Sequence, residues 1–278
     1  MQPLIDWLAP GQASIDVAIR AGWRAQTVGA AFLPAYRAAL QALIPGIGPD
    51  AEACLCVTEV DGNHPRSIHT TLRDGRLNGQ KSWTTGGAEG RIFLVAARVG
   101  DADGRPVLKL VKVAANAPGV SVTPMPPTPF VPDVSHCSVA FGDVEVPAAD
   151  VLPGDGYADY IKPFRTVEDI HVFAGLAAWW LSVGTRNDWP PVLRGELIQL
   201  LISLSRLSEA DPRASETHVA LGGAIAAAER LVQAMEPHWQ NVDAAVRDGW
   251  LRDRAIMRVA SGARKKRFER AVLDLQAR

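Results

Sequence analysis

The stretch Leu55–Thr85 reads LCVTEVDGNHPRSIHTTLRDGRLNGQKSWTT, and it decides the fold that the chain is predicted to adopt. Its first three residues are apolar and predict a short strand, and Thr58 and Glu59 stand at the end of that strand. Residues 61–65 are turn formers that cannot continue this strand. The chain is therefore expected to reverse here and to leave polar side chains at a strand end.

A β-hairpin is predicted in the second half of the stretch. Residues 68–72 read as one strand, and residues 77–85 read as the strand that returns. The Asp74-Gly75 pair between them favours a tight turn, because such a pair adopts positive φ readily. Antiparallel pairing would bring the end of the returning strand, Trp83–Thr85, close to the end of the first strand.

Strand-like runs continue to about residue 150. The runs at 91–99, 107–113 and 136–141 are largely apolar, and turn residues separate them. The Pro-rich run at 125–132 predicts an irregular edge loop, because proline cannot donate to a sheet's hydrogen-bond ladder. Regular strand spacing without long helices predicts a small antiparallel β-sandwich or barrel.

Helical periodicity flanks these strands on both sides. Residues 3–8 predict a short helix, and residues 13–44 predict a longer one that Pro34 kinks or splits. Beyond Asp155 four helical segments are predicted, most simply an up-down bundle. Their approximate bounds are Tyr157–Val183, Val192–Leu207, Ser215–Met235 and Asp248–Leu275.

The predicted fold class is therefore α+β. A short N-terminal helical segment occupies residues 1–50, the central β domain residues 51–152, and the C-terminal four-helix bundle residues 153–278. Gly222-Gly223 is tempting as a phosphate loop but lies inside the Ala-rich third bundle helix, so it is interpreted as close helix packing. The basic run at 264–267 is interpreted as a solvated helix face.

Composition points to an ordinary globular protein of the cytoplasm. The formal net charge of −1 gives no reason to expect a nucleic-acid partner. No apolar run reaches the length that spans a membrane, so no membrane partner is expected. Cys54 and Cys56 share one face of a strand and are expected to be buried thiols. The histidines show no metal-ligand spacing, and no metal is predicted.

Four pieces of the chain together resemble the acyl-CoA dehydrogenase family. Leu55–Glu59 resembles that family's Thr-Glu-Pro element, and Leu77–Thr85 resembles its Asn-Gly-x-Lys-x-Trp-Ile-Thr element. Phe141–Pro147 resembles its Phe-x-Asp-Val-x-Val-Pro segment, and Val151–Gly156 resembles the link into its last helical domain. The resemblance covers roughly Cys54–Gly175, and the rest of the chain matches only as a helical pattern.

The resemblance implies a flavoprotein of fatty acid metabolism that carries FAD. In this family the edge of the β domain lies against the flavin, so Thr58, Trp83, Thr84 and Thr85 are the implied cofactor-binding residues. Their hydroxyl and N–H groups would bind the polar edge of the ring, and the indole would pack against it. The alternative is that Thr and Trp are here only good strand residues.

The implied reaction removes the α-proton of an acyl-CoA thioester while the β-hydrogen leaves as hydride to FAD. Most members of the family place the catalytic Glu in a Tyr-Glu-Gly sequence, which this chain lacks. A minority place it on the first bundle helix, where Glu168 stands in a similar position. Glu168 is therefore the candidate base, and a helix carboxylate paired with Arg165 is the alternative.

Three functions remain open at this point. The chain is a shortened FAD-dependent acyl-CoA dehydrogenase, a catalytically degenerate relative that acts as a binding or assembly subunit, or an enzyme for another acyl thioester. The family's Arg-x-x-Phe-Gly and Gly-Gly-x-Gly phosphate contacts do not occur in the sequence. The resemblance also implies a homo-oligomer, with a dimer as the first candidate.

Overall fold

A computed structural model describes residues 2–44, 46–48 and 50–278. Within these ranges the chain divides into two compact units. The helical unit contains the described residues up to Ala42, the short segment Thr128–Pro132, and Thr166–Arg278. The β unit contains the described residues of Leu43–Pro127 together with Asp133–Arg165. The three-part division at residues 50 and 152 stays a prediction.

Eight α-helices occur in the described part of the chain. The three N-terminal helices are α1 Gln2–Leu8, α2 Ser14–Arg24 and α3 Val28–Leu43. The five C-terminal helices are α4 Lys162–Arg186, α5 Pro191–Ser208, α6 Ser215–Met235, α7 Ala244–Asp253 and α8 Ser261–Gln276.

Of the two alternatives predicted at Pro34, a kink or a split, the split is wrong. That proline lies inside α3, and the chain breaks instead between Arg24 and Val28. Ala25 has an extended backbone, and the Thr27 hydroxyl accepts a hydrogen bond from Ala30 N at 3.0 Å, as a helix N-cap does. A proline removes one helical hydrogen bond, whereas an extended residue followed by a cap ends one helix and begins another.

The C-terminal helices follow the predicted pattern, except that the fourth predicted helix is divided in two. The predicted third segment coincides with α6. The predicted fourth segment is instead α7, a 3-10 turn at Arg254–Arg258, and α8. Ala260 has a left-handed backbone with φ of 60°, which interrupts any continuous helix there.

The β unit contains one seven-stranded sheet. Its strands are β1 Ala53–Cys56, β2 Thr71–Arg73, β3 Arg76–Thr85, β4 Ile92–Ala102, β5 Arg105–Ala114, β6 Val120–Pro124 and β7 His136–Glu145. The hydrogen-bonded order is β1-β4-β2-β3-β7-β6, and β5 pairs with β4.

The α+β class is confirmed, but the sheet is mixed rather than antiparallel. β1 runs parallel to β4, with Cys54 opposite Phe93. The β2–β3 hairpin lies between these two strands in the chain, so β4 returns in the direction of β1. The predicted turn is confirmed, because Asp74 and Gly75 both have positive φ, 48° and 72°.

The core of the β unit is apolar and includes the three cysteines. Cys54, Cys56 and Cys137 are free thiols, each buried beside Phe93 and Phe141. Burial raises the pKa of the Cys56 thiol to about 12, although a hydrogen bond with Thr84 acts in the opposite direction. The expectation of buried thiols is therefore confirmed. β6 had no sequence prediction, because its short Val-Ser-Val-Thr-Pro run is mostly exposed.

Five tryptophans form an aromatic cluster in the core of the helical unit. The members are Trp179, Trp180, Trp189, Trp239 and Trp250, and none is more than 2% exposed. Neighbouring ring centroids lie 5.2 to 5.9 Å apart, in stacked, tilted and edge-to-face arrangements. Such aromatic pairs add to the apolar burial that stabilises a core.

A buried histidine joins α2 to α4. His171 is 1% exposed, and its two ring nitrogens lie 2.8 Å from Val167 O and 2.9 Å from Ser14 Oγ. The carbonyl only accepts, so Nδ1 carries the proton and Nε2 accepts from the Ser14 hydroxyl. Burial lowers the pKa of His171 to about 4, although the bond to Val167 acts in the opposite direction.

The buried His171 should make the folded protein less stable in acid. Between pH 6.5 and pH 4 the unfolded chain protonates His171 and the folded chain does not, so stability falls as the pH falls. The expected loss is about 3 kcal/mol. Urea unfolding at pH 7.0 and pH 4.5 should show a smaller change in His171→Gln than in wild type. The matched variant of exposed His64, His64→Gln, should keep the wild-type change, and equal changes in all three proteins would contradict the assignment.

Candidate functional site

The structure brings the two predicted strand ends together. Thr58 follows β1, and its carbonyl accepts a hydrogen bond from Ser82 N of β3 at 2.8 Å. Thr58 and Ser82–Thr85 therefore form one edge of the β unit, called here the Trp83 edge. Thr58 and Thr85 are half-buried.

Trp83 has the unusual conformation on this edge. Its φ is +55°, a left-handed value that is rare for an aromatic residue, and the β3–β7 register shifts between Lys81 and Thr84. The indole is 50% exposed and packs edge-to-face with His136 at 6.0 Å between centroids. Trp83 N donates to Met125 Sδ at 3.3 Å. Strained backbone that neighbours hold in place is often found at ligand sites.

The two threonines after Trp83 differ in accessibility. Thr84 is fully buried, and its Oγ1 lies 3.5 Å from Cys56 Sγ in the core. Thr85 is half-buried and stands opposite His136 in the β3–β7 pairing. Thr58 and Thr85 are thus partly accessible, whereas Thr84 lies in the core beneath the edge.

A buried ion pair between Lys81 and Glu59 lies next to the Trp83 edge and links its two strand ends. Lys81 Nζ donates to Glu59 Oε1 at 2.6 Å, with side-chain exposures of 0% and 5%. Glu59 also accepts from His69 N at 2.8 Å, Thr70 N at 3.0 Å and Thr70 Oγ1 at 2.8 Å. Buried charges are tolerated when they are paired and fully hydrogen-bonded, as here. The network joins β3 to the residues on both sides of the 61–67 turn.

The titration behaviour of this pair follows from its environment. Burial acts to raise the pKa of the Glu59 carboxyl, but Lys81 and the backbone donors of Thr70 and His69 outweigh it and lower that pKa. Burial lowers the pKa of the Lys81 ammonium, although Glu59 acts in the opposite direction. The short Nζ–Oε1 distance is that of a charge-assisted hydrogen bond.

Sequence reasoning did not single out the groups that support the Trp83 edge. The signal for Lys81 was present, because Lys81 and the buried Leu77 share one face of a strand in the period of two. Met125 and His136 carry no local signal. Their positions depend on the pairing of β7 with β3 and of β6 with β7, which joins distant parts of the chain.

Glu168 and Asp169 lie on α4, and the residues from Thr166 onward belong to the helical unit. Glu168 is half-buried. Asp169 pairs with Arg264 through Oδ1 at 3.2 Å and with Arg267 through Oδ2 at 2.5 Å. Both carboxylate oxygens of Asp169 are thereby used in holding α8 against α4.

The basic run at 264–267 was wrongly interpreted as a wholly solvated face. The side chains of Arg264 and Arg267 are only 12% and 19% exposed, and both contact Asp169. Arg264 also lies over the Phe173 ring at 5.6 Å. Lys265 and Lys266 remain exposed, because a helix turns successive side chains by about 100° and only two of the four face α4.

The described ranges contain neither a candidate metal site nor a candidate membrane-spanning helix. There, no group of three or more His, Cys, Asp or Glu side chains is arranged to hold a metal ion. In the same residues, no helix combines the length and apolar character needed to cross a membrane.

Comparison with known proteins gives a match to one family model, mostly in the β unit. Residues 54–144 match the model of the acyl-CoA dehydrogenase middle domain. A search of curated proteins found no significant match.

Three solved structures show the same fold over nearly the whole chain. Butyryl-CoA dehydrogenase from Megasphaera elsdenii is 16% identical with a TM-score of 0.67, and the match covers 98% of this chain and 90% of that one. The FAD complex of PigA is 14% identical with a TM-score of 0.68, covering 98% and 89%. FkbI, for biosynthesis of a methoxymalonyl extender unit, is 16% identical with a TM-score of 0.61, covering 94% and 83%.

Proposed function

We propose, from the match of residues 54–144 to the acyl-CoA dehydrogenase middle domain, that the chain is an FAD-dependent oxidoreductase of that family. Its reaction is the α,β-dehydrogenation of an acyl-CoA thioester. The observation that carries the proposal is the Trp83 edge, where a half-exposed indole is held in a strained backbone by Met125 and His136.

The groups on the Trp83 edge fit one side of a planar heteroaromatic ring. The exposed indole offers a flat apolar surface, and the Thr58 and Thr85 hydroxyls offer hydrogen bonds beside it. Bound FAD supplies the hydride acceptor. The buried Glu59–Lys81 pair keeps this surface in place, because it ties β3 to the backbone of Thr70. PigA, a protein of the same fold at 14% identity, has been solved as an FAD complex, which supports the same cofactor here.

Glu168 is the proposed general base. A base must approach within about 3 Å of the proton that it removes. The neighbouring Asp169 binds Arg264 and Arg267 through both oxygens, so it is a poor base. Glu168 would take the α-proton of the thioester as the β-hydrogen leaves.

A second candidate function is a non-catalytic family member that binds or assembles with another subunit. One observation favours it. The Gly-Gly pair of α6 provides no phosphate cradle at Gly222, because an added Cβ there would lie 2.3 Å from Phe268 Cδ2. That glycine serves the close packing of α6 against α8, as the sequence predicted. The phosphates of FAD would then need other partners.

An FAD titration followed by flavin absorbance and fluorescence separates the two candidates. Wild type should bind FAD, and Trp83→Ala should bind it about tenfold more weakly because a stacking contact is lost. Trp7→Ala is the control, because Trp7 is 63% exposed and lies on α1 in the helical unit. Failure of the wild type to bind FAD would leave the non-catalytic function.

Anaerobic mixing of the FAD-loaded protein with acyl-CoA tests the base. Flavin absorbance should bleach in wild type, and Glu168→Gln should bleach at least about a hundredfold more slowly, the usual range for loss of a general base. Asp169→Asn is unsuitable as a control because it breaks two ion pairs, so Glu229→Gln, at an exposed position of α6, serves instead. Equal bleaching rates in wild type and Glu168→Gln would rule out Glu168 as the base.

A further inference from the structure

Met125 places a thioether sulfur against the backbone of the Trp83 edge. Its Sδ accepts a hydrogen bond from Trp83 N at 3.3 Å. The β3–β7 register shifts between Lys81 and Thr84, so the sulfur serves as an acceptor where the strand ladder is irregular. A thioether is a weak acceptor, and this contact is therefore sensitive to the chemical state of the sulfur.

The neighbouring backbone fixes the position of this sulfur. Met125 N donates to His136 O at 2.8 Å, which continues the β6–β7 pairing by one residue. Pro126 and Pro127 follow directly, and the residue before a proline is restricted to extended backbone. The Met125 backbone therefore has little freedom to move away from Trp83 when the sulfur changes.

Met125 is the most accessible sulfur-containing residue in the described part of the chain. It is half-buried, whereas Met235 is fully buried and Met257 is 8% exposed. The three cysteines are buried, and burial raises the pKa of the Cys56 thiol to about 12 and also raises that of Cys137. Because the thiolate is the reactive form, buried protonated thiols react slowly with peroxides. A peroxide should therefore react first at Met125.

We propose that Met125 is a modification site, at which hydrogen peroxide oxidises the thioether to the sulfoxide and so displaces Trp83 from its place on the edge. One oxygen atom passes from the peroxide to the sulfur. The S–O bond forms as the O–O bond breaks, and the other oxygen leaves with both hydrogens as water. The sulfur is oxidised and the peroxide is reduced, so no further reactant is needed.

Oxidation changes the group that Trp83 N meets. The sulfoxide is polar and chiral, and its oxygen becomes the stronger acceptor in place of the sulfur. That oxygen lies one bond further along the side chain, so Trp83 N cannot keep its present position and also bond to it. Because the left-handed backbone of Trp83, with φ of +55°, depends on its neighbours, a change in this contact should move the indole.

Peptide mapping by mass spectrometry after peroxide treatment gives the first test. In the folded protein Met125 should gain one oxygen at least about tenfold faster than Met235 or Met257, because those two are buried. In urea the three rates should become similar. Methionine sulfoxide reductase should restore the thioether of Met125 after refolding. Equal rates for the three residues in the folded protein overturn the proposal.

Nuclear magnetic resonance of protein with nitrogen-labelled tryptophan tests the contact itself. The Trp83 amide signal, identified by its absence in Trp83→Phe, should shift on oxidation, and the signal of the fully buried Trp250 should not. Peroxide should cause no shift in Met125→Leu, which lacks the sulfur. The matched control Met257→Leu, in the helical unit, should respond as wild type does. An unshifted Trp83 signal in protein with fully oxidised Met125 overturns the proposal.

The consequence for FAD rests on the proposed function and is measured separately. Oxidised wild type should bind FAD about tenfold more weakly than untreated wild type, because the displaced indole loses part of its stacking contact. Peroxide should not change the affinity of Met125→Leu. Equal affinities before and after oxidation of the wild type overturn the proposal. An untreated wild type that binds no FAD contradicts the proposed function instead, and the mapping and the Trp83 signal still decide whether Met125 is the modification site.

Discussion

Replacing Lys81 by methionine is expected to reduce the free energy of unfolding by about 3–5 kcal/mol, the usual effect of removing one member of a buried ion pair. Methionine fills a similar volume, so the loss comes from the charge and hydrogen bond rather than from a cavity. Glu59 keeps its three other hydrogen bonds, but its carboxylate loses the only cation within 4 Å among the described residues. Urea unfolding followed by circular dichroism measures the change.

Two comparisons identify the ion pair as the cause. The Glu59→Gln/Lys81→Met double variant removes both charges and should lose less stability than the two single variants added together. Arg91→Met breaks the exposed pair with Glu52, where the Arg91 side chain is 82% exposed, and should cost under about 1 kcal/mol. Additive losses in the double variant would mean that Lys81 and Glu59 act separately.

The pH dependence of the Lys81→Met variant is a further sign of the same cause. Without the ammonium, burial raises the pKa of the Glu59 carboxyl above its unfolded value. Stability from that group is then present at low pH and lost as the pH rises through the raised pKa. The stability gap between the variant and wild type should therefore shrink when the pH is lowered from about 7 to about 5. A gap that stays constant would contradict this account.

Trp250→Ala is expected to cost about 3–5 kcal/mol in the helical unit. Trp250 is fully buried, and its ring stacks on Trp239 at 5.5 Å and meets Trp180 edge-to-face at 5.5 Å. Alanine leaves a large cavity and removes these two contacts and a third, with Trp179 at 5.9 Å. Urea unfolding measures the loss, and the near-ultraviolet circular dichroism of the stacked indoles should fall with it.

Two other variants test whether cluster packing is the cause. Trp250→Phe keeps an aromatic ring and should lose less stability than Trp250→Ala. Trp7→Ala removes a tryptophan that is 63% exposed and should change stability by less than about 0.5 kcal/mol. Similar losses for Trp7→Ala and Trp250→Ala would show that the cluster contributes no more than an exposed indole.

The sequence was a good guide wherever the determining interactions are local. The Asp74-Gly75 turn, the helix at Ser215–Met235 and the buried Cys54 and Cys56 all followed from turn preference or hydrophobic period. The predicted alternative of a split at Pro34 failed for a local reason, since a proline can lie inside a helix at the loss of one hydrogen bond. The true break depends on the Thr27 cap, which is a weaker signal.

The candidate site was predictable only in part. The sequence identified Thr58 and Trp83–Thr85 as one group, and the hydrogen bond from Ser82 N to Thr58 O joins them. It could not show that the Thr84 hydroxyl faces the core, because the register shift in β3 changes which side chains point outward. The roles of all these residues, and that of Glu168, stay predictions.

By itself, the sequence determined the succession of an N-terminal helical region, a β region and a C-terminal helical region, the hairpin, and the match of residues 54–144 to the acyl-CoA dehydrogenase middle domain. Only the tertiary structure decided the parallel pairing of β1 with β4, the contact of Arg264 and Arg267 with Asp169, and the left-handed conformation of Trp83. The physical reason is that periodicity and turn preference act over a few residues. Strand partners, buried ion pairs and strained backbone depend on residues that are far apart in the chain and meet only in the fold.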